Sequence, residues 1–527
     1  MTNKKQTGSY YTPVSMANFI VRHLKENLTF KNSFSVLEPS VGDGAFIEAL
    51  MNQQVGIDRL TAVDIDPMAL AKAGKKVLGK GLNTSFIESD FLDYKSDILY
   101  SLIIGNPPYI KKTFLFEEQI NKCRRIHDEA ELAENSIKNI WTAFLLKSIS
   151  LLNDEGILVF VLPAELLQVK FAEELRGYLR QNFERIEIFT FKDLLFECKG
   201  QDTIVLLGYR QSNKAGLFFA NIEDNTFQNE VALIQNNFLE ENNVKWNHHS
   251  LTVDELNFIY KLKNLLNPLN YYCDSKPGIV TASNKYFIID TDKEKKYELE
   301  KYTKPIIQRG LFVNGGVTFE KEDYYKLSEE GKPVKVLCFK DEDVEELKNN
   351  EKVLQYLELG EEQDFVEGYK CKQRKNWFVI PNISTPPEGF FFKRCHNYPK
   401  VLKNNARVLV TDSAYKIEMK EGGTINDLVF SFYNSLTLIF AELGGRCYGG
   451  GVLELTPTEF KALPLPFVQI SSKEFTKFAT SFKQKRNIDE ILVVNDLKIL
   501  KEVLNISDKE IQKIQAIRKK LVGKRIK

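Results

Sequence analysis

The first 210 residues alternate between short apolar runs and longer segments with helical periodicity. The short runs are rich in β-branched and aromatic residues, which is typical of buried strands. They predict seven strands, at 35–37, 60–63, 84–87, 102–104, 157–162, 186–191 and 203–207. Apolar positions three and four residues apart predict helices at 16–24, 45–51, 67–78 and 141–152.

This alternation predicts an α/β domain with a mainly parallel, seven-stranded sheet and helices on both faces. No helical pattern separates the last two runs, so we expect them to form an antiparallel pair. Around 211–250 the chain becomes polar and irregular. We therefore place a domain boundary at 240, which divides the chain into domains at 1–240 and 241–527.

The second domain mixes strand-like pieces, aromatic-rich loops and helices without a visible repeat, and it predicts a mixed α+β fold. From Ser472 onward the pattern is helical. The last stretch, KIQAIRKKLVGKRIK at 513–527, contains no acidic residue. A basic helix of this kind either contacts phosphate or is a solvated helix end.

Charge adds little on its own, because the chain of 527 residues has a net charge of only +1. Its distribution is uneven: residues 1–240 contain 26 Lys and Arg against 31 Asp and Glu, and the remainder contains 46 against 40. A swing of this size also arises by chance. If it has a function, it favours the second domain for phosphate contacts.

Cysteine, histidine and hydropathy patterns exclude several classes of protein. The seven cysteines are scattered without a CxxC pair, and the five histidines lack metal-ligand spacing; we expect no metal site, and we expect the adjacent His248 and His249 to be exposed. No window of about twenty apolar residues exists, and the start, MTNKKQTGSYYTP, lacks an apolar signal core. We therefore expect a cytoplasmic protein without a membrane segment.

Five short elements occur in order within the first 110 residues, and four of them lie at the C-terminal ends of predicted strands. Open parallel sheets bind ligands at that edge. The elements are TGSYYTP (7–13), LEPSVGDGAF (37–46), VDIDP (63–67), SDF (89–91) and NPPY (106–109). Each is weak alone, since glycine turns, strand-end Asp residues and Asn-Pro turns are common. Their order and spacing together favour a nucleoside-binding site.

The residue types at these positions suit a nucleoside. Glycines in the second element allow a tight turn and a close approach of the ligand to the backbone. A carboxylate at Asp64 can accept hydrogen bonds from ribose hydroxyls, and one at Asp90 can accept from an adenine amine. Phe91 either lies against the base or belongs to the core.

The NPPY element suits methylation of an exocyclic amine. The lone pair of the adenine amine is delocalised into the ring, so the amine is a poor nucleophile. Two acceptors, the Asn106 side-chain oxygen and the Pro107 carbonyl, would localise that lone pair, while the prolines stiffen the loop. Tyr109 offers a flat face for stacking, and a base in a duplex must flip out to reach it.

In their order these elements resemble the motifs of gamma-class N6-adenine DNA methyltransferases of type II restriction–modification systems. The resemblance implies a Rossmann-like methyltransferase domain, S-adenosylmethionine as cofactor, and double-stranded DNA as substrate. It implies cofactor contacts at Thr12, Glu38, Pro39, Ser40, Val41, Asp64, Asp90 and Pro108. It also implies that Asn106, Pro107 and Tyr109 lie at the target amine and that Phe196 lies against the flipped base, with Phe191 as its rival.

The resemblance extends weakly into the second domain, at 276–284, 375–377, 449–455 and 463–466, and implies that this domain recognises the DNA target. Several basic residues lie among aromatics there, and a few are candidates for phosphate or base contact. They are Lys276, Arg309, Lys372, Arg374, Lys375, Arg394 and Arg407. The resemblance also implies a DNA-associated protein of the bacterial cytoplasm, and we expect a monomer.

Three alternatives remain open at this point. Methyltransferases that modify glutamine in a release factor or a base in RNA share the NPPY loop, but they usually lack the TP motif and a large second domain. A non-catalytic DNA-binding module with the same fold is the second alternative. A fused nuclease is the third; because the TP motif begins at residue 7, we instead expect a separate endonuclease partner or none.

Overall fold

The computed structural model describes residues 12–27, 34–133, 137–191, 202–223, 227, 231–313, 315–347, 349–381, 383, 385–448, 450–484 and 487–526. The chain divides into two compact units, Met1–Leu256 and Asn257–Lys527. We call them the N-terminal unit and the C-terminal unit. The division lies beyond the boundary placed at 240 from the sequence.

The N-terminal unit is built on one nine-stranded sheet with the order β3-β2-β1-β4-β5-β7-β6-β8-β9. Its strands are β1 (Ser35–Glu38), β2 (Arg59–Asp64), β3 (Asn83–Glu88), β4 (Tyr100–Gly105), β5 (Leu152–Pro163), β6 (Arg185–Phe191), β7 (Thr203–Tyr209), β8 (Gly216–Ile222) and β9 (Ile234–Gln235). All seven predicted strands are present. The expected count of seven was wrong, because β8 and β9 extend the sheet.

Strand directions follow the prediction in the first part of the sheet. Neighbours among β1 to β5 are parallel, and β7 lies antiparallel between β5 and β6. The expected antiparallel pair of β6 and β7 is therefore confirmed. Beyond it, β8 pairs parallel with β6, and β9 pairs antiparallel with β8.

Helices cover both faces of this sheet. They are α1 (Val14–Asn27), α2 (Ala45–Asn52), α3 (Pro67–Lys75), α4 (Glu117–Glu129), α5 (Trp141–Ser150), α6 (Glu165–Gln168), α7 (Glu173–Asn182) and α8 (Asn237–Glu241), followed by α9 (Val253–Lys263) at the division between the units. The apolar sides of α1, α2 and α3 share one buried cluster with alternate residues of the central strands. Helix α5 packs against β5 outside that cluster.

The segment expected to be irregular, 211–250, contains ordered structure. The run Gly216–Ile222 is short and surrounded by polar residues, so its apolar character was hidden in the sequence, but it is buried beside β6. The following residues pack on it: Trp246 is buried, and the His249 ring stacks on Phe219 with centroids 4.7 Å apart. His248 is buried as well, so the expectation that both histidines are exposed was wrong. These contacts move the division between the units to 256.

The C-terminal unit combines three small sheets with helices. Its sheets have the orders β10-β19-β15-β17-β13, β11-β14-β12-β18 and β16-β21-β20. The strands are β10 (Cys273–Pro277), β11 (Ile288–Ile289), β12 (Thr303–Ile307), β13 (Thr318–Phe319), β14 (Lys335–Leu337), β15 (Gly389–Phe392), β16 (Arg394–Cys395), β17 (Val401–Asn404), β18 (Leu409–Val410), β19 (Ala414–Met419), β20 (Arg446–Tyr448) and β21 (Val452–Glu454).

Helices alternate with these strands and then dominate the end of the chain, as the sequence predicts from Ser472 onward. They are α10 (Leu269–Tyr272), α11 (Asn284–Phe287), α12 (Thr291–Lys296), α13 (Lys321–Glu329), α14 (Val344–Leu347), α15 (Glu351–Glu362), α16 (Tyr369–Lys372), α17 (Ile425–Phe432), α18 (Ser435–Gly444), α19 (Pro457–Lys461), α20 (Ser472–Gln484), α21 (Ile488–Leu504) and α22 (Asp508–Arg525). Within the described part of the chain, none of the helices has the length and apolar character needed to cross a membrane.

The basic terminal helix α22 is partly structural. Arg518 is buried and forms an ion pair with the partly exposed Asp489 of α21. Arg525 donates two hydrogen bonds of 2.7 Å to the Glu442 carboxylate, and its remaining donors bind backbone carbonyls, including that of Asn397 at 3.2 Å. Five lysines of the helix, at 509, 513, 519, 520 and 524, are exposed. Two of the basic residues in this stretch therefore hold the fold together and are not available to phosphate.

The Arg525–Glu442 pair yields a stability prediction. Both side chains are almost fully buried, with 3% and 5% of their surface exposed. Arg525→Ala leaves a buried carboxylate without its partner, so we expect the free energy of unfolding to fall by about 3–5 kcal/mol. Chemical denaturation of the full chain measures this. Lys524→Ala, at an exposed neighbour, is the matched control; an equally small effect of both substitutions would show that the pair does not stabilise the unit.

Candidate active site

The carboxyl ends of four adjacent parallel strands bring the predicted motifs to one edge of the sheet. Strand β1 lies between β2 and β4, with Glu38 opposite Ala62 and Leu37 opposite Ile103. Strand β2 ends at Asp64, opposite Glu88 of β3. The loops that follow β1, β2, β3 and β4 carry the glycine-rich, acidic and NPPY elements. Segments separated by up to seventy residues in sequence thus become neighbours, as expected for an open parallel sheet.

The glycine-rich turn after β1 is tied to β2 by hydrogen bonds. The Gly42 amide donates to the Asp64 carboxylate at 2.9 Å, and the Val41 amide donates to the Val63 carbonyl at 3.2 Å. Gly44 has a φ of 74°, and a Cβ at this position would lie 3.0 Å from the Cβ of Ala73. The turn therefore requires glycine both for its backbone conformation and for the close approach of α3.

Glu38 is a buried acid at the centre of this edge. It is 2% exposed, and its Oε2 atom has no hydrogen-bond partner among the described residues. Burial raises the pKa of Glu38 well above its ordinary value, and the nearby carboxylates of Asp43 and Asp64 raise it further, while Lys76 opposes them. An acid held in this way favours either a proton or a cationic group beside it.

The Asn106 side chain is fixed from both ends. Its Nδ2 donates to Thr12 Oγ1 at 3.2 Å, and its Oδ1 accepts from the Tyr109 hydroxyl at 2.9 Å. Ser40 Oγ donates to the Asn106 backbone carbonyl at 3.1 Å. Contacts from three motifs thus converge on Asn106, and those of Thr12 and Tyr109 determine which atom of the side-chain amide is the acceptor.

Tyr109 is more enclosed than a stacking residue needs to be. It is 7% exposed, and its hydroxyl also lies 3.0 Å from the Val161 carbonyl. The hydroxyl has a single proton, which it shares between that carbonyl and Asn106. In this geometry the hydroxyl orients the Asn106 amide.

Asp90 has both of its oxygens engaged. Oδ1 accepts from the Leu92 amide at 2.9 Å, and Oδ2 accepts from Lys122 of α4 at 3.0 Å. Phe91 is 2% exposed and packs against Phe144 with ring centroids 5.0 Å apart. It packs in the core, which favours the core alternative over the one in which its ring lies against the base.

Two neighbours of the site were not found from the sequence. Lys122 lies 32 residues from Asp90, on a helix that follows the NPPY element, and only the tertiary structure brings them together. Ile65 follows Asp64 and has 73% of its surface exposed, so it offers an apolar face beside that carboxylate. An apolar residue directly after a strand-end acid is the signal that could have identified it.

The remaining predicted residues divide as follows. Pro39, Val41 and Pro107 are buried at this edge, and Pro108 is partly exposed. Pro39 lies so close to β4 that a Cβ on Gly105 would be 3.2 Å from its ring. Phe196 lies outside the described residues.

The basic candidates of the C-terminal unit also divide. Arg374 donates to the carbonyls of Thr281 and Trp377 at 2.9 and 3.1 Å and is therefore structural. Arg394 and Lys372 form ion pairs with Glu454 and Glu367. The four candidates that remain exposed outside these contacts are Lys276, Arg309, Lys375 and Arg407.

The fold and the site together define the class. A parallel sheet that ends with an antiparallel strand between its neighbours, and that gathers a glycine-rich turn and strand-end acids at one edge, is a Rossmann-like methyltransferase domain. The type IIL restriction-modification enzyme MmeI, solved in complex with DNA, has a similar fold: the TM-score is 0.59 at 13% identity, over 98% of this chain and 72% of that one.

Comparison of sequences gives the family. Residues 58–196 match the model of the Eco57I restriction-modification methylase, and residues 243–500 match that of the C-terminal domain of the type II methyltransferase M.Eco57I. The type II methyltransferase M.AccI of Acinetobacter calcoaceticus is 24% identical over 93% of each chain. M.HincII of Haemophilus influenzae is 32% identical over 36% of this chain and 34% of its own length. The chain belongs to the methyltransferases of type II restriction–modification systems.

Burial of Glu38 predicts how stability depends on pH. Because its pKa is raised in the folded state, the folded protein keeps a proton that the unfolded chain releases near pH 4.5. Stability is therefore lost as the pH rises above that value, by about 1.4 kcal/mol per pH unit, until the folded-state pKa is reached.

The measurement compares Glu38→Gln with the wild type by denaturation across this pH range. We expect the variant to lose this component, so that its stability relative to the wild type increases with pH. Glu88→Gln, at an exposed strand-end acid, is the control. Parallel pH curves for Glu38→Gln and the wild type would contradict the prediction.

Proposed function

We propose that this chain is a site-specific DNA methyltransferase that methylates the N6 amine of adenine and uses S-adenosylmethionine as the methyl donor. The observation that carries the proposal is the Asn106 amide, whose nitrogen is bound to Thr12 and whose oxygen faces the Tyr109 hydroxyl. A fixed acceptor in an NPPY loop suits an amine that must be made nucleophilic. Membership of the type II family supports the choice of DNA over RNA or protein.

The residues at the sheet edge fit the proposed cofactor. S-adenosylmethionine has an ammonium and a sulfonium group, and the latter makes its methyl group electrophilic. Glu38 provides a buried carboxylate with an unpartnered oxygen, and Asp43 and Asp64 add negative charge around it. We assign the cofactor to eight residues at this edge: Thr12, Glu38, Pro39, Ser40, Val41, Asp64, Asp90 and Pro108. Ile65 adds an apolar surface for the adenine ring of the nucleoside.

The chain's part in the reaction is to hold the target amine. The Asn106 Oδ1 atom and the Pro107 carbonyl accept hydrogen bonds from the two N–H groups of the amine. This localises the lone pair on the nitrogen and directs it at the methyl group. A carbonyl oxygen has two lone pairs, so Asn106 can accept from Tyr109 and from the amine together. The proton leaves after the nitrogen has become cationic, so the reaction needs no strong base at its start.

Access to this loop requires the adenine to leave the duplex, because a stacked base cannot reach it. Flipping costs a few kcal/mol, which contacts with the extruded base must offset. Phe196 is proposed for that contact, and Tyr109 for orientation of Asn106 in addition to any stacking. We assign target recognition to the C-terminal unit, where exposed Lys276, Arg309, Lys375 and Arg407 are the candidates for DNA contact.

Asp64 provides the first test of the cofactor site. Its carboxylate accepts from the amides of Gly42 and Asp66 at 2.9 and 3.0 Å, so Asp64→Asn is preferable to Ala because it keeps the shape and one acceptor. We expect cofactor affinity to fall by about 1.5–3 kcal/mol, the scale of a lost hydrogen bond to a charged group. Calorimetry with S-adenosylmethionine measures it, with Glu88→Gln as control. Unchanged affinity in Asp64→Asn would remove this residue from the site.

Variants of Asn106 and Tyr109 distinguish an effect on the methylation rate from an effect on ligand affinity. Asn106→Ala should lower the single-turnover methylation rate by about two orders of magnitude or more, with little change in DNA or cofactor affinity, because the contact acts in the transition state. Tyr109→Phe should lower the rate less and also leave affinity unchanged. If Tyr109 acts only by stacking, the Phe variant should retain the full rate.

Sequencing of methylated bases in DNA from cells that express the wild type identifies the product and its site. N6-methyladenine at a defined sequence is the expected result. A methyl group found only on cytosine, RNA or protein would overturn the proposed function, as would a normal rate in Asn106→Ala.

A further inference from the structure

Two phenylalanines directly beyond the NPPY loop are exposed. Phe114 has 58% and Phe116 has 78% of its surface accessible. Every other phenylalanine in the described part of the chain is buried or half-buried. Isolated apolar residues on a surface are ordinary, but two aromatic rings two residues apart, beside a reactive loop, are a large apolar exposure for a folded protein.

These rings are carried by backbone that is hydrogen-bonded in place. The Lys112 amide donates to the Lys138 carbonyl at 3.0 Å, and the Ile140 amide donates to the Ile110 carbonyl at 2.9 Å. The Phe114 amide closes a tight turn on the Lys111 carbonyl at 2.8 Å. The segment 111–116 is therefore paired with the residues that lead into α5.

Phe116 occupies a position where a polar residue is favoured. It is the N-cap of α4, where a Ser, Thr, Asp or Asn side chain would accept a hydrogen bond from the first turn. Phe116 provides no such acceptor; Gln119 accepts only from the Phe116 amide, at 3.1 Å. An N-cap residue that does not stabilise its helix indicates that the residue has a role outside the helix.

Charged residues of both signs flank the two rings, and those without an ion pair to a described residue are lysines. Lys111 and Lys138 lie on the paired backbone segments, are exposed, and form no ion pair with any described residue. The neighbouring acids of α4 are paired within the helix: Glu117 with Arg124 and Glu118 with Lys122, each at 3.1 Å. Aromatic faces interleaved with unpaired lysines suit nucleic acid, which offers bases for stacking and phosphates for the ammonium groups.

We propose that Phe114 and Phe116 contact the DNA bases next to the extruded adenine, and that Lys111 and Lys138 contact the adjoining phosphates. This inference rests on the proposed function and deepens it. The 111–116 segment begins two residues after Tyr109, so it borders the loop that receives the base. Apolar side chains that insert between or against base pairs separate them, and this favours the flipped state.

The cofactor is the competing occupant. Helix α4 also carries Lys122, which binds Asp90, and Phe116 precedes Lys122 by six residues, or about 9 Å along the helix. If the rings covered the cofactor, their removal would weaken cofactor binding without DNA. The experiment therefore measures the two ligands separately.

The test uses the full chain with the double substitution Phe114→Ala/Phe116→Ala. Its DNA probe is the duplex identified by sequencing, with 2-aminopurine in place of the target adenine. We expect affinity for this duplex to fall tenfold or more, the scale of losing stacked rings, and 2-aminopurine fluorescence to rise less than with the wild type. Affinity for S-adenosylmethionine alone should stay within twofold. Leu78→Ala, at a residue that is 74% exposed in the same unit, is the matched control.

A gain of signal complements this loss. In Phe116→Trp the duplex should quench tryptophan fluorescence more strongly than it does in the wild type. S-adenosylmethionine should cause no such additional quenching. Wild-type DNA affinity in the double variant, or a loss of cofactor affinity without DNA, overturns the inference while the proposed function stands. If the wild type methylates no DNA, both fail together.

Discussion

The parallel register of β1 between β2 and β4 is the constraint on which the site depends. It sets the ends of three strands side by side, so that the loops after Glu38, Asp64 and Gly105 start from one edge. The hydrogen bond from Gly42 to Asp64 then fixes the glycine-rich turn against the next strand. These contacts are made by the backbone and by partly buried side chains of the fold itself, so they hold the loops at this edge in place.

The same edge contains a group that opposes stability. Glu38 is buried, one of its oxygens is unpartnered among the described residues, and nearby acids disfavour its ionised form. Such a group destabilises a fold unless a proton or a cation compensates it. Functional sites commonly retain groups of this kind, and the proposed sulfonium cofactor would supply the compensating charge.

The second feature of the site is the fixed orientation of the Asn106 side chain. The Asn106 amide is held through both of its polar atoms, by Thr12 and Tyr109, which come from different motifs. In the C-terminal unit, two basic residues whose sequence suggested DNA contact instead stabilise the fold. Arg374 binds backbone carbonyls, and Arg525 neutralises Glu442. The residue type and the neighbouring sequence do not distinguish a role in DNA contact from a role in stabilising the fold, because that role depends on partners from distant segments.

The sequence by itself determined the seven strands from Ser35 to Tyr209, their mainly parallel arrangement, and the motifs at their ends, because burial on both faces and glycine-rich turns leave periodic, local signals. It missed β8, whose apolar core is short and lies among polar residues. Only the tertiary structure decided that Phe91 is core, that Lys122 binds Asp90 and that Phe116 is exposed. Burial and ion pairing between distant segments depend on how elements pack, and no local pattern encodes that.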